Sequence, residues 1–187
     1  MQTEILMSGF GGQGALFAGQ LLAYAAMDSG NNVTWIPSYG PEMRGGAAHC
    51  TVIIYDDIIG SPLVRRPQAV LALNLPSLDK FEHQIKPGGV LIANQSLIDR
   101  DIARTDLIAV LIPANDIAEE LGNKRMTNMV MLGALIACLP ILPLDAIKQA
   151  LDDHLPERHR KLLPANFRAL QRGSDFAMES SRVHVVE

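Results

Sequence analysis

Apolar positions along the chain fall into short runs separated by turn residues and by stretches with helical patterning. Residues 4–8 form a short apolar strand that feeds a glycine-rich turn, Gly9-Phe10-Gly11-Gly12-Gln13-Gly14. Residues 15–27 carry no β-branched side chain and stop at Asp28-Ser29-Gly30, which predicts a helix. That helix is apolar or small almost all round, the pattern of burial on more than one face, and in so small a chain this suggests contact with a partner. A second strand is predicted over 33–37 and a third over 47–55, where Ala48, Cys50, Val52 and Ile54 share one face and His49, Thr51, Ile53 and Tyr55 the other. Further strands are expected at 69–73, 90–94 and 108–113, and helices at 76–84, 116–121, 128–139, 144–155 and 164–172.

This alternation predicts an α/β fold, a three-layer α/β/α arrangement around a mostly parallel or mixed sheet, with a Rossmann-like glycine loop after the first strand. The run from Val33 to Tyr55 has no helix, so an antiparallel pair fits there. One domain over residues 1–187 is expected, with a C-terminal helical portion from about 126; residues 173–187 read as a polar tail, free or docked on a partner.

Composition narrows the function. Charged residues make up only 19% of the chain, below the usual quarter, which favours a surface partly covered by another chain. A net charge of −4 without a basic block argues against nucleic-acid binding. The longest apolar run, 129–144, is interrupted by Gly133, Pro140 and Pro143, so no membrane span is expected. Cys50 and Cys138 show neither zinc nor iron–sulfur spacing, and with no basic leader at the N-terminus a cytoplasmic protein is expected. The histidines form no metal-binding arrangement; His49, beside the arginine loop, reads as a structural histidine with ligand contact as the alternative, and the cluster Arg158-His159-Arg160-Lys161 as a solvated turn.

Two loops carry the candidate chemistry. Gly9, Gly11 and Gly14 satisfy GxGxxG between strand and helix, where bare backbone N–H groups and the positive helix end suit an anion. A dinucleotide reading also needs a carboxylate at the end of the second strand, and Trp35-Ile36-Pro37-Ser38 offers none. Arg44 could meet a 2′-phosphate instead, so a self-sufficient NADP- or flavin-binding oxidoreductase stands as the alternative, although no hydride-transfer site is evident. The second loop, Ser38-Tyr39-Gly40-Pro41-Glu42-Met43-Arg44-Gly45-Gly46, sets a guanidinium fork beside two glycines.

Together with Asn128-Met129-Val130-Met131-Leu132-Gly133-Ala134, these loops make the chain resemble, over nearly its whole length, the gamma subunit of 2-oxoacid:ferredoxin oxidoreductases. The arginine loop is most similar to the 2-oxoglutarate branch. The resemblance implies a complex that converts a 2-oxoacid and coenzyme A into acyl-CoA, carbon dioxide and reduced ferredoxin. It places thiamine diphosphate, magnesium and iron–sulfur clusters in alpha and beta (with or without delta) partner subunits. This chain would hold no cofactor and no catalytic or metal-binding residue of its own, would be inactive alone, and would be open to self-association. Its implied share is a coenzyme A site contributed by Gly9, Gly11, Gly12, Gln13, Gly14, Tyr39, Arg44, Gly45 and Gly46. A purely structural subunit that touches no ligand is the third reading.

Overall fold

The computed structural model describes residues 1–39 and 47–183, with Tyr39 and residues 181–183 described by their backbone alone. Six strands form one mixed sheet: β1 (Thr3–Phe10), β2 (Asn32–Tyr39), β3 (Ala47–Tyr55), β4 (Ala69–Ala72), β5 (Val90–Asn94) and β6 (Ile108–Ile112), in the order β2-β3-β1-β4-β5-β6. β1, β4, β5 and β6 are parallel, whereas β3 is antiparallel to both of its neighbours, β1 and β2. The helices are α1 (Ala15–Asp28), α2 (Leu75–Phe81), α3 (Ala114–Glu120), α4 (Thr127–Cys138), α5 (Leu144–His154) and α6 (Leu163–Val183).

Strand alternation sorts the side chains into two cores. Cys50, Val52 and Ile54 of β3 join Ile5 and Met7 of β1 under α1 and α4. On the opposite face Leu6, Val70, Ala72, Leu91 and Ala93 pack against Leu78 and Phe81 of α2. The central parallel strands β4 and β5 are buried on both faces and accordingly read as near-continuous apolar runs, whereas the outermost strand, β6, is partly exposed.

The apolar girth of α1 is met within the chain: one side lies on β1, β2 and β3, and α5 covers another, with Tyr24 stacked on His154 at 4.1 Å between ring centres. The covered sides need no partner chain, while Phe17 and Met27 of the same helix remain exposed. Gly19 is the point of closest approach, since a Cβ there would stand 2.3 Å from the Cys50 sulfur. Cys50 is fully buried, its thiol donates to the Ala15 carbonyl at 3.6 Å, and burial pushes its pKa up to about 11, so it is an inert packing residue.

The last helix departs from the sequence expectation. It does not stop at Arg172 but runs on through Gly173 to Val183. The glycine is there for contact: a Cβ on Gly173 would lie 1.8 Å from the Val130 carbonyl oxygen, and one on Gly133 would lie 2.0 Å from that of Leu170. Each helix thus offers a bare glycine to the other's backbone, and α4 and α6 sit closer than side chains would allow.

Candidate functional site

β1 ends where the glycine loop begins. Phe10 is opposite Ala47, the first residue of β3, and Tyr39, the last of β2, is opposite Ala48. The two residues that anchor the arginine loop therefore sit at the same sheet edge as the glycine loop, at the carboxyl ends of the parallel strands. Open α/β sheets receive ligands at that edge. Arg44, Gly45 and Gly46 lie outside the described residues, as does the side chain of Tyr39.

Within the glycine loop the glycines divide by role. A Cβ on Gly9 would meet Leu73 Cδ1 at 2.9 Å, and one on Gly14 (φ +82°) would meet Asn128 Nδ2 at 2.5 Å; both are needed for packing. Gly11 and Gly12 differ: a Cβ at either would have nothing within 4 Å. Their exposed outer surface is bare backbone. Gly14 begins α1 in the left-handed conformation and provides no side-chain cap, so the first-turn N–H groups of a 14-residue helix gain no cap partner. Open glycine backbone beside an uncapped positive helix end is an arrangement whose electrostatics suit an anion.

Three side-chain amides, those of Gln13, Asn74 and Asn128, hold the loop in shape. Gln13 Oε1 accepts from the Phe10 N–H at 2.6 Å and from Asn74 Nδ2 at 2.8 Å, so its carbonyl is turned into the loop rather than toward a ligand. Asn74 Oδ1 in turn accepts from the Ser77 N–H at 2.9 Å and caps α2. Asn128 Nδ2 donates to the Gly14 carbonyl at 3.2 Å while its Oδ1 accepts the Met129 N–H. The signal for Asn74 was an asparagine directly after an apolar strand, a cap position; Asn128 heads a motif quoted above, but its contact with Gly14 carried no local signal, because α4 reaches the loop only through the tertiary fold.

The topology also weighs against a dinucleotide site. β2, whose end should hold the ribose carboxylate, is not beside β1. The parallel neighbour of β1 is β4, which leads into Leu73-Asn74, and Asn74 is already committed to the loop and the α2 cap. A larger groove of about 410 Å³ lies elsewhere, between α1 and the end of α5, lined by Phe17, Tyr24, Leu151 and His154. Among the described residues no three His, Cys, Asp or Glu side chains converge as a metal site, and no helix is long and apolar enough to cross a membrane.

Comparison with known proteins agrees with the fold. Residues 4–176 match the family model described as pyruvate ferredoxin/flavodoxin oxidoreductase. Ketoisovalerate oxidoreductase subunit VorA of Methanothermobacter marburgensis is 36% identical over 96% of the chain, which spans only 37% of that protein's length. 2-oxoglutarate synthase subunit KorC of Methanocaldococcus jannaschii is 35% identical with 96% of both chains covered. The structure of the keto/oxoacid ferredoxin oxidoreductase gamma subunit from Geobacter sulfurreducens superposes with a TM-score of 0.81 at 31% identity, covering 95% of this chain and 99% of that one. The 2-oxoglutarate:ferredoxin oxidoreductase from Magnetococcus marinus, with 2-oxoglutarate, coenzyme A and succinyl-CoA bound, gives a TM-score of 0.86 at 25% identity, covering 95% of this chain and 31% of that one.

Proposed function

We propose that this chain, which belongs to the pyruvate ferredoxin/flavodoxin oxidoreductase family as a gamma subunit, grips the anionic part of coenzyme A for a cytoplasmic 2-oxoacid:ferredoxin oxidoreductase. In this reading alpha and beta partner chains hold thiamine diphosphate, magnesium and iron–sulfur clusters. They break the carbon–carbon bond of the 2-oxoacid and pass electrons to ferredoxin, while this chain positions the acyl acceptor. The observation that carries the reading is the open backbone of Gly11 and Gly12 at the uncapped start of α1, beside both anchors of the arginine loop. Coenzyme A is the phosphorylated molecule of choice because the related Magnetococcus enzyme has it bound. 2-oxoglutarate is the favoured substrate because KorC matches end to end.

Arg44 supplies the charge that backbone alone lacks. A hydrogen bond to a charged group contributes about 1.5–3 kcal/mol, roughly ten- to a hundredfold in affinity. In the assembled complex, Arg44→Gln should therefore raise the KM for coenzyme A by about tenfold or more, with kcat little changed, because binding is lost equally from ground and transition states. An unchanged KM would remove Arg44 from the site.

A further inference from the structure

β1 and β4 lie side by side and parallel, but the chain leaves them in opposite directions: β1 runs into α1 on one face of the sheet and β4 into α2 on the other. Such a divergence opens a crevice at the carboxyl ends of the two strands, where open α/β sheets bind ligands. A cleft of about 120 Å³ lies there on the α2 side, lined by Gly9 and Phe10 of β1, Ala47 of β3, Asn74 at the start of α2, and Pro76 and Lys80 within it.

The cleft is apolar for a structural reason. Its polar groups are committed to one another: the Ser8 hydroxyl donates to that of Ser77 at 2.9 Å, the Ser77 N–H to Asn74 Oδ1 at 2.9 Å, and Asn74 Nδ2 to Gln13 Oε1 at 2.8 Å. The Lys80 ammonium is turned over the Phe81 ring, 5.0 Å from its centre. What remains for a ligand is carbon. Leu6, Ser8 and Phe10 follow one another on the α2 face of β1; the first two are buried, whereas Phe10 is 37% exposed. Ala47 and Pro76 are exposed beside it, so β1, β3 and α2 each leave an apolar group uncovered around one space. Phe10 also belongs to the glycine loop, because its N–H donates to Gln13 Oε1 at 2.6 Å and its carbonyl accepts from the Gln13 N–H at 3.1 Å. The cleft is therefore continuous with the open backbone of Gly11 and Gly12.

We infer that this cleft holds the adenine ring of the cosubstrate, with Phe10 as its aromatic contact. The inference rests on the coenzyme A reading above: a diphosphate at Gly11 and Gly12 leaves two arms to place. The pantetheine arm ends in the thiol that must reach the reaction centre on the partner chains, and its amides would find no uncommitted partner among the polar groups of the cleft. Adenine has flat apolar faces that stack on aromatic side chains, and it can keep its ring nitrogens and amino group at the open rim. The space equals the share of liquid volume of about four waters, enough for one ring system and not for the whole arm.

Abasic coenzyme A, which keeps every phosphate and lacks only the ring, is the discriminating probe. Phe10 is exposed and holds the loop through its backbone, so Phe10→Ala leaves the loop hydrogen bonds in place. In the assembled complex Phe10→Ala should raise the KM for coenzyme A by about fivefold or more, the equivalent of one lost base–aromatic stack, and leave that for abasic coenzyme A within about twofold. Phe10→Tyr, which keeps the ring, should stay within about twofold of the parent for both. Equal losses for both cosubstrates in Phe10→Ala, or no loss for either, would overturn the adenine site. If Arg44→Gln still weakens both cosubstrates in that event, the coenzyme A reading survives; if it weakens neither, that reading fails as well.

Discussion

Replacing Gly173 with alanine is expected to lower the melting temperature of the chain by roughly 6–12 °C, corresponding to about 3 kcal/mol at 2–4 °C per kcal/mol. Two effects oppose each other. Helix propensity alone favours alanine over glycine in a helix interior by about 1 kcal/mol. Against this, the new methyl would stand 1.8 Å from the Val130 carbonyl oxygen, about half an ordinary contact distance. Overpacking usually costs 1–3 kcal/mol, roughly, when side chains can yield. Here the obstacle is the backbone of α4, which can move only as a helix, so the steric cost dominates. Gly133→Ala should behave likewise, because its methyl would meet the Leu170 carbonyl oxygen at 2.0 Å. Gly60→Ala is the control: nothing lies within 4 Å of its Cβ, and its melting point should stay within about 2 °C of the parent. Thermal unfolding followed by circular dichroism measures all three. Coincident melting of Gly173→Ala and Gly60→Ala would mean that the two helices are not in backbone contact.

Gly11→Val should separate binding from folding. Gly11 does not have a positive φ, and its Cβ would point into open space, so the fold should tolerate the side chain to within about 0.5 kcal/mol. The same isopropyl group would stand on the outer surface of the loop, where a phosphate must approach the backbone N–H groups. The KM for coenzyme A in the assembled complex should therefore rise by at least about tenfold, a loss of roughly 1.4 kcal/mol. Gly14→Val does not offer this separation: φ is +82° and Asn128 is in the way, so folding and binding would fail together. A Gly11→Val complex with normal stability and normal coenzyme A kinetics would favour a subunit that fastens the assembly and touches no ligand.

The strands were legible because their alternation is local. Residues 47–55 and 90–94 match the observed bounds of β3 and β5, and the antiparallel pair anticipated between Val33 and Tyr55 is present. The long α6 was not legible, because a glycine followed by polar residues reads as a stop. What carries the helix past Gly173 is the backbone of α4, more than 40 positions earlier in the chain. Burial of α1 on more than one face was legible in its composition, but the cover on the second face, α5 from the far end of the sequence, was not. The glycine motif placed a turn between β1 and α1, as the structure has it, but it did not distinguish the packing glycines, Gly9 and Gly14, from the open ones, Gly11 and Gly12. Nor could it reveal the contacts of Asn74 and Asn128, which reach the loop only because β4 lies beside β1 and α4 crosses the start of α1.

The most direct measurement is the crystal structure of the assembled complex with coenzyme A bound. It should place a diphosphate oxygen within hydrogen-bonding distance, about 3 Å, of the backbone N–H of Gly11, Gly12 or Gly14. Coenzyme A bound wholly on the partner chains, with the glycine loop facing only solvent or protein, would contradict the assignment of this chain as the anion-gripping subunit.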